Sequence, residues 1–317
     1  MAGVKIRLSV SDRLRLLLMK LRSRERYKAE KSRLRLSLYS SKARAFNDNF
    51  SFPFSSRAAL ASFKHSGHTG DVIYSLPTVF ALAESASIHL NCSTSSQLPP
   101  NFDHPYGKEQ LPERVAHMLA PLLLTQKRIQ SVQIWSNDTA IDFDLDLFRD
   151  SPQDLGAGSI SHWYFPIFGV APDISVPWIE LDDSGQCSGS VVLARSSRYR
   201  NDSLDYGFLK KYPNLKFVGL ESEFLDMRKT IPNIEFIPVA NFLELGQVIR
   251  SASLFIGNQS FPYSLAEAMK VPRILEQCLY APNVIPVGGV AHPVLFQKQF
   301  EYVASRLIAP ALGDGLR

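Results

Sequence analysis

Two strand–turn–helix stretches, one in each half of the chain, constrain the fold more than anything else in these 317 residues. The first, Ser62–Pro77, reads SFKHSGHTGDVIYSLP: a strand, a turn in which Gly67 and Gly70 bracket His68 and Thr69, and a helix start. Glycine there admits positive φ or a close approach by backbone or ligand. Asp71 stands at the expected N-cap, ahead of the apolar positions Val72, Ile73 and Leu76. The second, Ser253–Pro272, reads SLFIGNQSFPYSLAEAMKVP. Leu254–Ile256 is a short buried strand, Gly257–Ser260 a turn, and Ser264–Met269 a helix that ends before Pro272. About 190 residues separate the two stretches, far beyond the roughly 30 of one βαβ unit. One such turn in each half suggests a separate nucleotide-type fold for each. In an open parallel sheet such turns lie at the carboxyl edge of the strands, where ligands bind. The expectation is α/β: two facing, Rossmann-like, doubly wound domains with a cleft between their turns.

The intervening pattern agrees. In the first half, Ala58–His65, Ser87–Asn91 and Ile129–Trp135 read as strands, with helices running from Asp71 to Glu84 and over Leu111–Gln126. Ser93–Gly107 is a polar loop long enough to reach a cleft, and Ala140–Leu147 alternates apolar and acidic residues like a sheet edge. Ser159–Gly169 is expected as a helix over the cleft. In the second half, Gly189–Ala194, Leu215–Leu220, Ile234–Pro238, Arg273–Glu276 and Val284–Pro286 read as strands. Helices over Leu204–Lys211, Ser222–Thr230 and Phe242–Ser251 alternate with them, and Pro293–Leu307 is a terminal helix placed to pack back on the first domain. The expected boundaries are 1–55, 56–182 and 183–317.

The net charge of +5 hides an asymmetry. Residues 1–45 hold 14 Lys+Arg against 3 Asp+Glu, a balance of +11, and the remainder holds 21 against 27, a balance of −6. The basic segment, with Leu14, Leu16, Leu17, Leu18 and Leu21 among its arginines, is open to three readings: contact with an anionic membrane surface, a solvated helical extension, or targeting. Phe46–Phe54 reads as a linker. The acidic body and the lack of any recognition motif leave no specific nucleic-acid partner, although the basic tail alone could hold phosphates non-specifically. No apolar run reaches 18 residues, so no transmembrane helix is expected. Cys92, Cys187 and Cys278 are dispersed, which fits a cytoplasmic chain, either free or peripheral on the inner membrane face. No metal-ligand spacing and no Walker A sequence occurs, and Gly67–Gly70 is not GxGxxG, so neither a metal nor a redox cofactor is expected.

Candidate chemistry gathers at the turns. Arg195, Arg198 and Arg200 follow the first strand of the second domain, where guanidiniums suit a diphosphate, and Ser196 and Ser197 add hydroxyls. The Gly257–Ser260 turn opens a helix whose N-terminal amides can hold phosphate. Glu221 is placed to accept from a ribose or base, and His65 and His68 with Thr69 flank Asp71 on the acceptor side. Each has a plainer reading: a solvated loop, a surface acid, structural histidines, and for Asp71 a helix cap.

These two stretches also resemble a known family. GHTGDVIYSLPTVFAL looks like the N-terminal motif of the ADP-heptose lipopolysaccharide heptosyltransferases, glycosyltransferase family 9. FLELGQVIRSASLFIGNQSFPYSLAEAMKVP looks like their donor-site segment. The resemblance spans most of residues 60–290. It implies a GT-B fold, a nucleotide-sugar donor, a glycan or lipid-linked acceptor, and inverting transfer with Asp71 as general base. It places Gly257, Asn258, Gln259, Ser260 and Ser264 at the donor. The chain departs from the pattern in having Gln259-Ser260-Phe261 for Asp-Ser-Gly and Ser264 for a helix histidine, with Phe261 and Tyr263 available to stack on a base or sugar. The rival expectations are a non-catalytic nucleotide- or glycan-binding relative and a nucleic-acid-associated protein using the tail.

Overall fold

The computed structural model describes residues 9–50, 57–92 and 109–311, with side chains to 308. The expected Ser93–Gly107 loop lies outside the described residues. The basic segment forms α1 (Val10–Arg22) and α2 (Arg24–Asn49), which pack on each other. Ser23 between them is extended at φ −159° and caps α2 by accepting the Arg26 N–H.

The first sheet holds β1 (Ala58–His65), β2 (Ala83–Leu90), β3 (Ile129–Ile134) and β4 (Phe143–Asp144) in the order β3-β2-β1-β4, every pair parallel. Its helices are α3 (Thr69–Leu82), α4 (Glu113–Leu124), α5 (Leu147–Asp150) and α6 (Ile160–Phe168). The second sheet holds β5 (Val191–Ala194), β6 (Leu215–Phe217), β7 (Glu235–Phe236), β8 (Leu254–Asn258), β9 (Arg273–Glu276) and β10 (Ala291–Val294). They are ordered β10-β9-β8-β5-β6-β7, again all parallel. Its helices are α7 (Glu221–Thr230), α8 (Phe242–Arg250), α9 (Phe261–Met269) and α10 (Gln297–Ala311). The near-continuous apolar strands of this sheet follow from covering on both faces: all four residues of β5 and all five of β8 are buried.

α3 is buried nearly all round because α6 and α9 cover what the first sheet leaves open. α4 meets α8 in the same way. A Cβ on Gly246 of α8 would sit 2.5 Å from Leu181 and 3.3 Å from Leu122 of α4, so glycine is what lets these helices approach. One apolar core consequently runs from Phe63 and Leu76 through Leu122 and Leu245 to Leu265 and Leu275, joining both sheets. A second cluster lies on the other face of the second sheet.

Several expectations fail for physical reasons. The terminal helix does not reach the first domain: Phe300, Ala304 and Ile308 of α10 pack with Val191, Leu193 and Ile256 of their own sheet, closing its open face. The last strand is β10 rather than Val284–Pro286. Pro293, lacking an N–H, is tolerated there because β10 is an edge. Leu204–Lys211 shortens to a 3-10 turn over Gly207–Lys211. Phe46–Phe54 is not all linker, since α2 continues to Asn49, where Phe46 and Phe50 stack at 4.8 Å and pack on the main core. Residues 51–56 lie outside the described residues.

Candidate active cleft

The carboxyl ends of β1 and β5 face each other across a cleft of about 350 Å³ lined from both sheets, the size of a small-molecule site. On the first side, β1 ends at His65, which is fully buried. Its Nδ1 accepts the Gly67 N–H at 2.8 Å and its Nε2 lies 2.9 Å from the Tyr164 hydroxyl, which donates to the Asp71 carbonyl at 3.2 Å. With Nδ1 accepting, Nε2 carries the proton and donates to Tyr164. Burial, then Arg149 and Lys64, hold His65 well below the usual imidazole range. His65 therefore fixes the turn from beneath and does not line the cleft, unlike its expected acceptor role. His68 and Thr69 do line it.

Asp71 is not the cap. The N-cap of α3 is His68, which puts Asp71 in the helix's third position, with its carboxylate in the cleft. Neither Gly67 nor Gly70 takes a positive φ. Close approach is the requirement at Gly67, where a Cβ would collide with the Arg149 guanidinium and sit 2.6 Å from the His65 ring, whereas one on Gly70 would meet Ser264 of α9 at an ordinary contact distance of 3.8 Å. The Asp71 carboxylate lies 3.5 Å from Arg149 of α5, a residue that sequence reasoning passed over. Arg149 also lies 3.5 Å from Asp146. Burial pushes Asp71 above the usual carboxylate range, outweighing the pull of Arg149 and Arg198 in the opposite direction. A carboxylate kept partly reluctant to ionise is a stronger base when it does.

On the second side, the three arginines separate. Arg198 and the neighbouring Ser196 line the cleft, and burial shifts Arg198 downward. Arg195 turns away from the cleft. It grips buried Glu276 through two hydrogen bonds of 2.7 and 2.9 Å and stacks on Tyr206. Arg200 pairs with Asp226 at 2.8 Å and donates to the Ser196 carbonyl. Arg195 and Arg200 thus shape the loop that presents Arg198, in place of the expected direct donor contact. Ser197 gives its backbone N–H to Glu223 and does not line the cleft. Glu221 is exposed at the start of α7, whereas Glu223, on the far side of Ser222, faces the cleft.

The Gly257–Ser260 segment is likewise redistributed. Gly257 and Asn258 belong to β8, and a Cβ on Gly257 would meet the Ala194 carbonyl at 2.7 Å, so the strand needs glycine where a turn was expected. Asn258 is fully buried and holds the arginine loop by three hydrogen bonds: it donates to the Ser196 and Arg198 carbonyls and accepts the Ser196 N–H. Gln259 lines the cleft, yet its amide donates to Ala281 and Asn283 and accepts from Cys278. Ser260 caps α9 at the cleft, and Phe261 faces the cleft beside Phe242 with ring centroids 4.4 Å apart. Tyr263 and Ser264 are fully buried, so Tyr263 cannot stack on a ligand, and the Ser264 hydroxyl is spent on the Phe261 carbonyl. Among the described residues no three His, Cys, Asp or Glu side chains gather as a metal site.

No protein-family model matches this sequence, and no curated protein does. Solved structures do resemble it in fold. A glycosyl transferase family 9 protein from Veillonella parvula superposes with a TM-score of 0.52 at 11% identity, covering 81% of this chain and 99% of that one. The E. coli heptosyltransferase WaaC with ADP gives 0.50 at 10% identity, covering 78% of this chain and 99% of that one. The fold anticipated from the sequence, α/β with two parallel sheets in the GT-B arrangement, is the fold observed.

Proposed function

We propose that this chain is a glycosyltransferase that moves a sugar from a nucleotide-sugar donor to the hydroxyl of a glycan or lipid-linked acceptor, with inversion and without a metal. The observation that carries the reading is the meeting of Asp71 and Arg198 in one cleft, each at the carboxyl end of its own parallel sheet in a GT-B fold. The E. coli neighbour's ADP supports a nucleotide as one half of the donor.

In this reading the donor nucleoside occupies the second-domain half, among Leu220, Val239, Phe242 and Phe261, with Glu223 accepting from ribose hydroxyls. The diphosphate meets Arg198 and the first turn of α9, where helix amides and dipole favour an anion. The acceptor enters along His68 and Thr69. Its oxygen bonds to the anomeric carbon as the carbon–diphosphate bond breaks, and its proton passes to Asp71. Negative charge grows on the leaving diphosphate, so Arg198 contributes more in the transition state than in the ground state. Gln259 and Ser264, committed to internal hydrogen bonds, contribute by position only.

Those two commitments also favour a second reading, a non-catalytic relative that binds the same ligands. Calorimetry with a panel of nucleotide sugars and nucleoside diphosphates tests donor binding, and product formation with an acceptor panel separates the two readings. The expected result is that one nucleotide sugar binds and that Arg198→Ala weakens it by roughly 1.5–3 kcal/mol, the scale of a charge-assisted contact. A chain that binds none of them, or an Arg198→Ala variant with undiminished affinity, defeats the assignment.

A further inference from the structure

α1 carries a surface that none of the described residues covers. Val10, Leu14, Leu17, Leu18 and Leu21 follow the i, i+4, i+7, i+8, i+11 pattern, which at about 100° per residue confines them to an arc of roughly 100°. All five are exposed, from 55% at Leu18 to 79% at Leu21. Arg13 and Lys20 run along one edge of this stripe and Arg15 and Arg22 along the other. The opposite side holds buried Leu16 and half-buried Asp12 and Met19, and it packs on α2. Arg15 further ties the pair together through Glu30 of α2 at 3.3 Å. The apolar stripe therefore points away from the other described residues.

We propose that α1 lies flat on an anionic bilayer surface, its leucine stripe at the boundary of headgroups and acyl chains and its two basic edges against lipid phosphates. An apolar stripe bordered by cations on a short helix is the arrangement that suits this interface. Charge complementarity selects the occupant. A second copy would set one basic segment of balance +11 against another. Nucleic acid would satisfy the cations and leave the stripe in water. Among the described residues no helix is long and apolar enough to span the bilayer, so the contact is peripheral. The same charges orient the molecule, because the remainder of the chain, at −6, is repelled by the surface that attracts the hairpin. α2, about 39 Å long at 1.5 Å per residue, packs beside α1 and joins it to the body through Phe46 and Phe50. None of this depends on glycosyl transfer.

The test is co-flotation of the full chain with vesicles of phosphatidylcholine alone and of phosphatidylcholine with phosphatidylglycerol, at an ionic strength of about 0.15 M. Binding to the anionic vesicles should be at least about tenfold stronger than to the neutral ones. It should fall at least about tenfold in Leu17→Asn/Leu18→Asn, and as far in a variant with Arg13, Arg15, Lys20 and Arg22 all changed to Gln. The leucine variant should keep the wild-type melting curve, since both altered side chains are exposed, and the basic variant should melt at most slightly lower through loss of the surface Arg15–Glu30 pair. Equal binding to both vesicle types overturns the proposal, as does a leucine variant that binds like wild type. So does light scattering that shows the leucine change splitting a dimer, or single-stranded RNA that binds both wild type and leucine variant and displaces the vesicles.

Discussion

Replacing Asp71 with asparagine separates a reactive carboxylate from a structural one. In the structure Asp71 is mostly buried, third in α3, and 3.5 Å from Arg149. A first-turn carboxylate gains about 0.3–1 kcal/mol from the helix dipole, and Arg149 adds attraction. Burial nevertheless dominates, because the group is shifted above its ordinary value of 3.8. A raised value means that the folded chain holds the proton to higher pH than the unfolded chain. Ionisation of Asp71 therefore subtracts stability as the pH climbs from 3.8 through the folded value. The neutral amide of the Asp71→Asn variant has no charge to bury. The variant should melt at the wild-type temperature or above it at pH 7, and its advantage should grow from acid toward neutral pH. Turnover should fall about 10²–10⁴-fold, or roughly 3–5.5 kcal/mol, the contribution of a general base. Differential scanning fluorimetry across pH gives the first quantity and an initial-rate assay with the identified donor gives the second. A variant that melts lower at neutral pH while turning over normally would show that Asp71 serves to hold Arg149, and the base would have to be sought elsewhere in the cleft.

Other consequences can be measured without a known acceptor. Glu267 and Arg273 are both buried, joined at 2.6 Å, with Lys270 on the same carboxylate at 2.7 Å. Glu267→Gln strands two cations and should cost about 3–5 kcal/mol in urea titration, whereas Glu267→Met/Arg273→Met should recover part of that loss. Arg195→Ala, which leaves the Glu276 carboxylate buried, should lower stability by a similar ~3–5 kcal/mol, in contrast to Arg198→Ala, whose main effect by calorimetry is on donor affinity. Asn258→Ala removes three hydrogen bonds from the loop carrying Arg198 and should weaken donor binding by about 1–3 kcal/mol without touching the ligand. Unchanged affinity there would mean that Arg195 and Arg200 hold the loop unaided.

The elements that periodicity marks strongly were legible, and the partners of individual side chains were not. Buried apolar runs such as Val191–Ala194 and glycine-punctuated turns identify parallel strands locally, and the alternation of strands and helices then restricts the topology. What an arginine does depends on residues far along the chain. Glu276 lies 81 positions from Arg195 and Asp226 lies 26 from Arg200, so three neighbouring guanidiniums looked equivalent when only one faces the cleft. Glu221 and Glu223 point to different sides of α7, being roughly 200° apart in helical phase, which the strand end read from sequence could not resolve. Arg149 lies two positions past Ala140–Leu147, the run read for its alternating acids, although a lone cation among Asp142, Asp144, Asp146 and Asp150 is itself a signal. Gly257 resembled a turn because glycine serves both turns and crowded strands, and only the Ala194 carbonyl beside it decides between them.

The core that runs without a break between the two sheets has a consequence for how the molecule comes apart. Because α3 packs on α9 and α4 on α8, neither sheet keeps its own complete set of buried neighbours once the other is lost. Heat therefore removes both halves in a single cooperative event, with one calorimetric peak where two-domain chains commonly show two. The outer face of the second sheet is covered by its own, smaller cluster beneath α10. Opening of α10 would also loosen the arginine loop, because Phe300 packs on Tyr206 at 4.9 Å, Asn201 donates to the Leu295 carbonyl and the Asp205 N–H donates to Gln297, so amide exchange that begins at the C-terminal end should reach that loop before it reaches the core between the sheets.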